Sequence, residues 1–176
     1  MSDHTSQQTH AERPSKEQTG QTFFVTRTFD APRDLVWKAW TEPERLRQWW
    51  GPNGFTSPVA RTDLRIGGRY LWGMRSPDGQ DFFSTGVFRE IVEPERLAFT
   101  DSFADAEGNV VPASHYGMPG DWPAENVMTV TFEERDGRTA VAVREEGIPE
   151  EMRGPSEEGM RESFEKLADY LKKTRA

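Results

Sequence analysis

The sequence predicts an α+β fold in which a curved antiparallel sheet wraps around a long C-terminal helix. Three observations lead there. Apolar residues alternate with polar ones, at period two, in most segments between Thr22 and Glu145. Two short helical patterns interrupt that run directly after the first strand. After Ser156 the period changes to that of a helix, with a single apolar stripe that only a sheet is available to cover.

The elements follow in order. Phe23, Val25, Arg27 and Phe29 alternate with Thr22, Phe24, Thr26 and Thr28, and the β-branched and aromatic content favours a strand. Asp30-Ala31-Pro32 stops it, with proline well placed for a first helical turn. Leu35, Val36, Ala39 and Trp40 then recur at helical spacing. Thr41 and Glu44 have the spacing of a capping box, which predicts a second short helix from Thr41. Leu46, Trp49 and Trp50 fall on its apolar face, and Gly51-Pro52-Asn53-Gly54 ends it. Strands are predicted over Phe55 to Arg61, Arg69 to Arg75, Asp81 to Val92 and Arg96 to Phe103. Pro77-Asp78-Gly79 and Glu93-Pro94-Glu95 supply turns. A Gly/Pro/Asp-rich loop runs from Ala104 to about Pro123. Met128, Val130 and Phe132 mark a sixth strand, Asp136-Gly137 a hairpin turn, and Thr139 to Glu145 its partner. Met160, Phe164, Leu167 and Leu171 form the stripe of the last helix, with Ser156 its expected N-cap behind Gly154-Pro155.

Composition narrows the function. The 176 residues suffice for one domain with a real core, expected over residues 21–174. Residues 1–20 are polar and are expected to form a disordered tail. His4 and His10 lie there, too scattered to make a metal pair. A net charge of −8, with basic residues interleaved among acidic ones, argues against nucleic-acid binding. Cysteine is absent, so thiol catalysis and disulfides are excluded, which fits a reducing cytoplasm. No apolar run reaches the ~20 residues of a spanning helix, and no secretory leader is expected.

The densest signal is aromatic. Trp49-Trp50-Gly51-Pro52 is followed by Gly67-Gly68-Arg69-Tyr70 and a strand with Tyr70, Trp72 and Met74 on one face. The candidate ligand-binding set is Trp49, Trp50, Tyr70, Trp72, Phe83, Phe99 and Phe103, closed by Met128 and Val130 from the sheet. Met160, Phe164 and Leu167 complete it from the helix. These residues either line a cavity or fill it, since aromatic stripes are common in solid cores. Tyr70 and Trp72 combine an apolar body with one hydrogen-bonding tip, suited to orienting a planar ligand.

The motifs Phe29-Asp30-Ala31-Pro32, the Trp37 helix, Glu44-Arg45-Leu46, Trp49-Trp50-Gly51-Pro52 and Gly67-Gly68-Arg69-Tyr70 carry a family resemblance. Gly86-Val87-Phe88-Arg89-Glu90-Ile91 and Pro94-Glu95-Arg96-Leu97 continue it. Together they resemble the bacterial relatives of the C-terminal domain of the heat-shock-protein-90 ATPase activator, over essentially Thr22 to Lys173. The resemblance implies a START-like, birch-pollen-allergen-like helix-grip fold with a hydrophobic cavity between sheet and last helix. It also suggests a stress-response setting and a chaperone partner. It implies no single activity, since lipid carriers, cyclases, receptors and co-chaperone domains share the superfamily. One departure stands out: members often carry Gly-Trp near the start of the last helix, and this chain has Gly159-Met160.

Catalytic signals are thin. His115, in Ser114-His115-Tyr116, is the one histidine outside the tail and a candidate general base, but it has no partner in the sequence. No serine sits in a nucleophile elbow, and Gly67-Gly68 lacks the lysine and helix of a phosphate loop. No cluster has metal-ligand spacing; Glu133-Glu134 and Glu145-Glu146 read as strand-edge charges. Arg27 is expected to point inward, paired with Asp63, Asp101, Glu145 or an acidic ligand; Arg69 and Arg75 are further charges of interest. The expected function is non-catalytic binding of a small hydrophobic or aromatic molecule, without cofactor or metal. A co-chaperone-like interaction module and a polyketide-cyclase-like enzyme stand behind it. The sequence leaves oligomeric state open.

Overall fold

The computed structural model describes residues 21–175. The tail assigned to residues 1–20, with His4 and His10, lies outside them. Seven strands form one antiparallel sheet in the order β1-β7-β6-β5-β4-β3-β2, curled into a half-barrel. They are β1 (Gln21–Phe29), β2 (Thr56–Thr62), β3 (Arg69–Arg75), β4 (Asp81–Val92), β5 (Arg96–Ala104), β6 (Asn126–Arg135) and β7 (Arg138–Ile148). From β2 to β7 every strand pairs with its sequence neighbour. The exception is β1, which pairs with β7 at the far edge from β2. The chain bridges the two edges with helices α1 (Arg33–Thr41) and α2 (Pro43–Leu46), and α3 (Glu150–Arg175) packs along the sheet.

The period-two and period-3.6 patterns are realised as burial. Phe23, Val25 and Phe29 are buried from β1, and Met160, Phe164, Leu167 and Leu171 from α3. Phe29 meets Phe164 edge-on at 5.4 Å. Trp40 of α1 lies at the centre, in edge-on contact with Trp49, Phe132 and Phe164. Asp136 and Gly137 both take positive φ (55° and 77°), the geometry that a tight hairpin between β6 and β7 requires.

Two helix starts differ from the sequence expectation. Thr41 does not cap a second helix; it ends α1, and its hydroxyl donates to the Trp37 carbonyl at 2.9 Å. The new helix begins at Pro43 because its ring fixes a helical φ and it needs no N–H partner at that position. Likewise α3 starts at Glu150 rather than at Ser156, so Pro155 lies inside it. Proline there forfeits one backbone bond, to the Glu151 carbonyl. The extra turns carry Met152 and Ser156 over the sheet.

Arg27 is also corrected. It is exposed, with its guanidinium 5.6 Å from the Phe29 ring centre. Near the sheet edge, the long side chain lays its stem on an apolar neighbour and keeps its charge in water. Arg69 and Arg75 are exposed too; Arg75 forms a two-point ion pair with Asp81.

Candidate functional site

Two adjoining cavities separate the sheet from the N-terminal half of α3. The outer one, about 300 Å³, is bounded by Trp50, Gly51, Pro52 and Phe55 after α2, and by Met74 and Phe82 of the sheet. Met118 of the long loop closes one side, and Met152, Ser156, Gly159 and Met160 of α3 form the roof. The inner one, about 190 Å³, shares Trp50, Met74, Phe82, Met118, Ser156 and Met160. It continues inward to Phe23, Trp72, Phe83, Phe103 and Met128, and ends at Ser84, Asp101 and Glu145. Another hollow, of about 340 Å³, lies at the β6–β7 turn among the exposed residues Glu133, Arg135, Asp136 and Arg138; it is an open polar groove.

Of the twelve residues predicted for the site, the fold gathers Trp50, Trp72, Phe83, Phe103, Met128 and Met160 around this space. The other six, Trp49, Tyr70, Phe99, Val130, Phe164 and Leu167, are core residues with at most 2 % exposure. Adjacent tryptophans thus part company. Trp49 turns inward, 4.9 Å from Trp40, and its indole N–H donates to the Ala39 carbonyl at 3.0 Å. Trp50 faces the cavity, 5.0 Å from Trp72.

The polar tips expected to orient a ligand are engaged within the protein. The Trp72 indole N–H donates to the Thr62 hydroxyl at 3.0 Å. The Tyr70 hydroxyl lies 2.8 Å from the Thr100 carbonyl and 2.9 Å from Asp101 Oδ1. Buried tips need partners: the adjacent strand β2 supplies that of Trp72, and Tyr70 reaches across β4 to β5 for its own.

The polar feature of the cavity is instead a pair of carboxyls. Glu145 is buried, against the expectation of an edge charge; the curl of the sheet turns its face of β7 inward. It hydrogen-bonds to Asp101, and Asn126 Nδ2 donates to its Oε1 at 3.3 Å. Burial, and then the neighbouring Asp101 charge, push the Glu145 carboxyl well above the usual carboxylate range. Burial raises Asp101 as well, opposed by hydrogen bonds from Glu145 and Tyr70. Burial and Asp101 push the Tyr70 phenol up in turn. Two carboxyls this close and this buried favour sharing one proton over carrying two full charges. Among the residues bounding the two cavities there is no lysine, arginine or histidine.

Sequence reasoning missed the walls contributed by Phe55, Phe82, Met118 and Met152. Met74 alone was legible, from its alternation with Trp72. The long loop, which had no sequence-level role, is fastened to the sheet by Tyr116. That hydroxyl accepts the Phe83 N–H at 3.1 Å and donates to the Ala104 carbonyl. Tyr116 packs against Phe82 and Phe103, and Met118 follows two residues later. Lys166 ties α3 to the opposite rim: its ammonium donates to the carbonyls of Gly51, Pro52 and Phe55 at 2.9, 3.3 and 3.0 Å. Gly159 brings α3 close to that rim; a Cβ there would lie 3.4 Å from the Pro52 ring. His115 is exposed, stacks edge-on with Tyr116 and bounds neither cavity. No group of three potential metal ligands occurs among the described residues.

The family model for the activator of Hsp90 ATPase homolog 1-like protein matches residues 30–172. The chain belongs to this family. Solved structures agree with the assignment. An Arthrobacter aurescens protein is 30% identical, with 90% of each chain covered and a TM-score of 0.72. A Chromobacterium violaceum protein is 28% identical over 85% of this chain and 96% of its own, with a TM-score of 0.71. A Silicibacter pomeroyi protein that carries the family's name shares the fold at 23% identity over 86% of this chain and 97% of its own, with a TM-score of 0.68. No curated protein matches. As in the START-like reading, this member of the activator-homologue family has a curved sheet gripping a long helix, and no helix among its described residues is long and apolar enough to cross a membrane.

Proposed function

We propose that this protein binds a small hydrophobic or aromatic molecule between its sheet and α3, without transforming it. The observation that carries the reading is the apolar cavity of about 300 Å³ that opens onto the inner chamber. That size lies at the lower end of the range for small-molecule pockets, and its walls are aromatic rings and methionines. Methionine side chains repack around differently shaped ligands, which suits a carrier or sensor of a chemical class. Met160, where relatives often have tryptophan, leaves room that an indole would occupy. His115, the general base considered from the sequence, bounds neither cavity and so has no access to a ligand there. The lack of cysteine suits a cytoplasmic site of action.

A thermal-shift screen against lipids, aromatic acids, flavonoids and polyketide-like compounds tests this. A ligand at a hundredfold excess over Kd adds about 2.7 kcal/mol of stability. Met118→Trp, which narrows both cavities from an exposed loop, is expected to abolish the shift while leaving the unliganded melting temperature nearly unchanged. A library-wide absence of shifts, or shifts that persist in Met118→Trp, refutes the site. The first of these outcomes would favour a co-chaperone-like interaction surface instead.

A further inference from the structure

The geometry points to an organic cation as the ligand: an amine with an aromatic or otherwise apolar body, its ammonium held by Asp101 and Glu145. This deepens the binding function proposed above and rests on it.

The inner chamber presents buried hydrogen-bond acceptors with too few donors. Glu145 is 7% exposed, and it and Asp101 face the same space with no basic side chain among the walls. The charged and titratable groups around the pair come from three strands. They are Tyr70 on β3, Asp101 on β5 and Glu145 on β7, with only neutral Asn126 from β6. The elements on the remaining sides give Phe23 from β1, Ser156 and Met160 from α3 and Met118 from the loop. A second acceptor is independent of the carboxyls. Asn126 is 7% exposed, and its Oδ1 is buried without a hydrogen-bond partner. Its Nδ2 is committed to Glu145, which fixes the amide's orientation. Asn126 lines a recess of about 50 Å³ that Asp101 and Ser84 share with the chamber.

An ammonium supplies what is missing, a positive charge and up to three donors. The rings of Trp50, Trp72, Phe82, Phe83 and Phe103 surround the approach, and aromatic faces attract cations. An anionic ligand would meet like charge in a poorly hydrated site. A neutral alcohol would supply one donor and no charge. Binding of the ammonium favours the ionised pair, so it displaces the shared proton.

The experiment compares naphthylmethylamine, naphthylmethanol and naphthoate by calorimetry on the intact protein. These probes share one body and differ in head-group charge. The amine is expected to bind roughly tenfold or more tightly than the alcohol, and the acid most weakly. The amine's advantage should shrink as pH falls and the pair takes up its second proton. Glu145→Gln and, separately, Asp101→Asn keep the shape and should reduce amine affinity to that of the alcohol. Equal binding of amine and alcohol, or preference for the acid, overturns the inference and leaves the cavity reading standing. If none of the three binds and the wider library also gives no shift, both fall. The ranking in the unmodified protein decides the matter even if a variant fails to fold.

Discussion

Replacing Trp49 with alanine tests how the two adjacent tryptophans divide between core and cavity. The Trp49 ring has no exposure and packs edge-on against Trp40 and Trp50. Truncating such a ring costs about 3–5 kcal/mol in transfer and cavity energy. The indole N–H has a second job. Ala39 is in the last turn of α1, where its carbonyl would normally accept the N–H four residues on. That residue is Pro43, which has none, so Trp49 supplies the donor. Losing that bond adds about 1 kcal/mol. The total, about 4–6 kcal/mol, is a large fraction of the ~5–15 kcal/mol that stabilises a typical domain. Trp49→Phe keeps most of the packing and should cost about 1–3 kcal/mol, mainly through the orphaned carbonyl. Trp50→Ala removes a ring that already borders open space, and should cost about half as much as Trp49→Ala or less. Urea unfolding followed by far-ultraviolet circular dichroism measures all three, free of the lost tryptophan emission. Equal destabilisation by Trp49→Ala and Trp50→Ala, or a cost below about 1.5 kcal/mol for the former, would refute the assignment of Trp49 to the core.

Three further predictions follow from the packing. Glu145 binds its proton more tightly in the folded state, so its contribution to stability is full below the unfolded carboxyl range and fades as pH rises through the raised titration. Glu145→Gln should therefore flatten the pH–stability curve and gain on the unmodified protein toward alkaline pH; parallel curves from melting scans across pH would contradict the buried pair. Lys166→Met removes three charge-assisted bonds to the rim and should cost about 1.5–3 kcal/mol, with faster hydrogen exchange over residues 51–55. Unchanged exchange there would show that the rim is held by other contacts. Gly86→Ala would place a methyl 1.7 Å from the Thr100 carbonyl oxygen, so β4 and β5 must separate. Loss of soluble expression or of the cooperative transition is expected, and a variant that melts normally would show the close approach to be wrong.

Trp72, one of the two residues the sequence suggests for orienting a ligand, illustrates the gap between pattern and packing. Period two placed it correctly on the inner face of β3, but its burial and its bond to Thr62 make it part of the framework as well as the wall. Met118, on a loop without periodicity, is the cleaner probe of the same space. The sequence by itself determined what depends on near neighbours. Alternation in β1, β3 and β6, the Asp136-Gly137 turn and the Met160–Leu171 stripe report the dihedral period and the side of the chain that avoids water. Those signals were enough for the sheet and its gripping helix, and the ordered motifs were enough for the family. Helix starts were less legible, because Thr41 and Ser156 match cap chemistry whether or not the preceding residues already continue a helix. Only the tertiary structure decided which inward residues meet matter and which meet space. Trp49 and Trp50 lie beyond α2, which ends at Leu46 rather than carrying both on its apolar face, and the turn that follows points one inward and the other at the cavity, which no period distinguishes from two equivalent core positions. The carboxyl pair is likewise a product of folding. Asp101 and Glu145 come from β5 and β7, separated by the intervening β6, and the charge of each is set by burial and by the other. Protonation depends on three-dimensional distance and on exclusion of water, and a one-dimensional spacing carries neither.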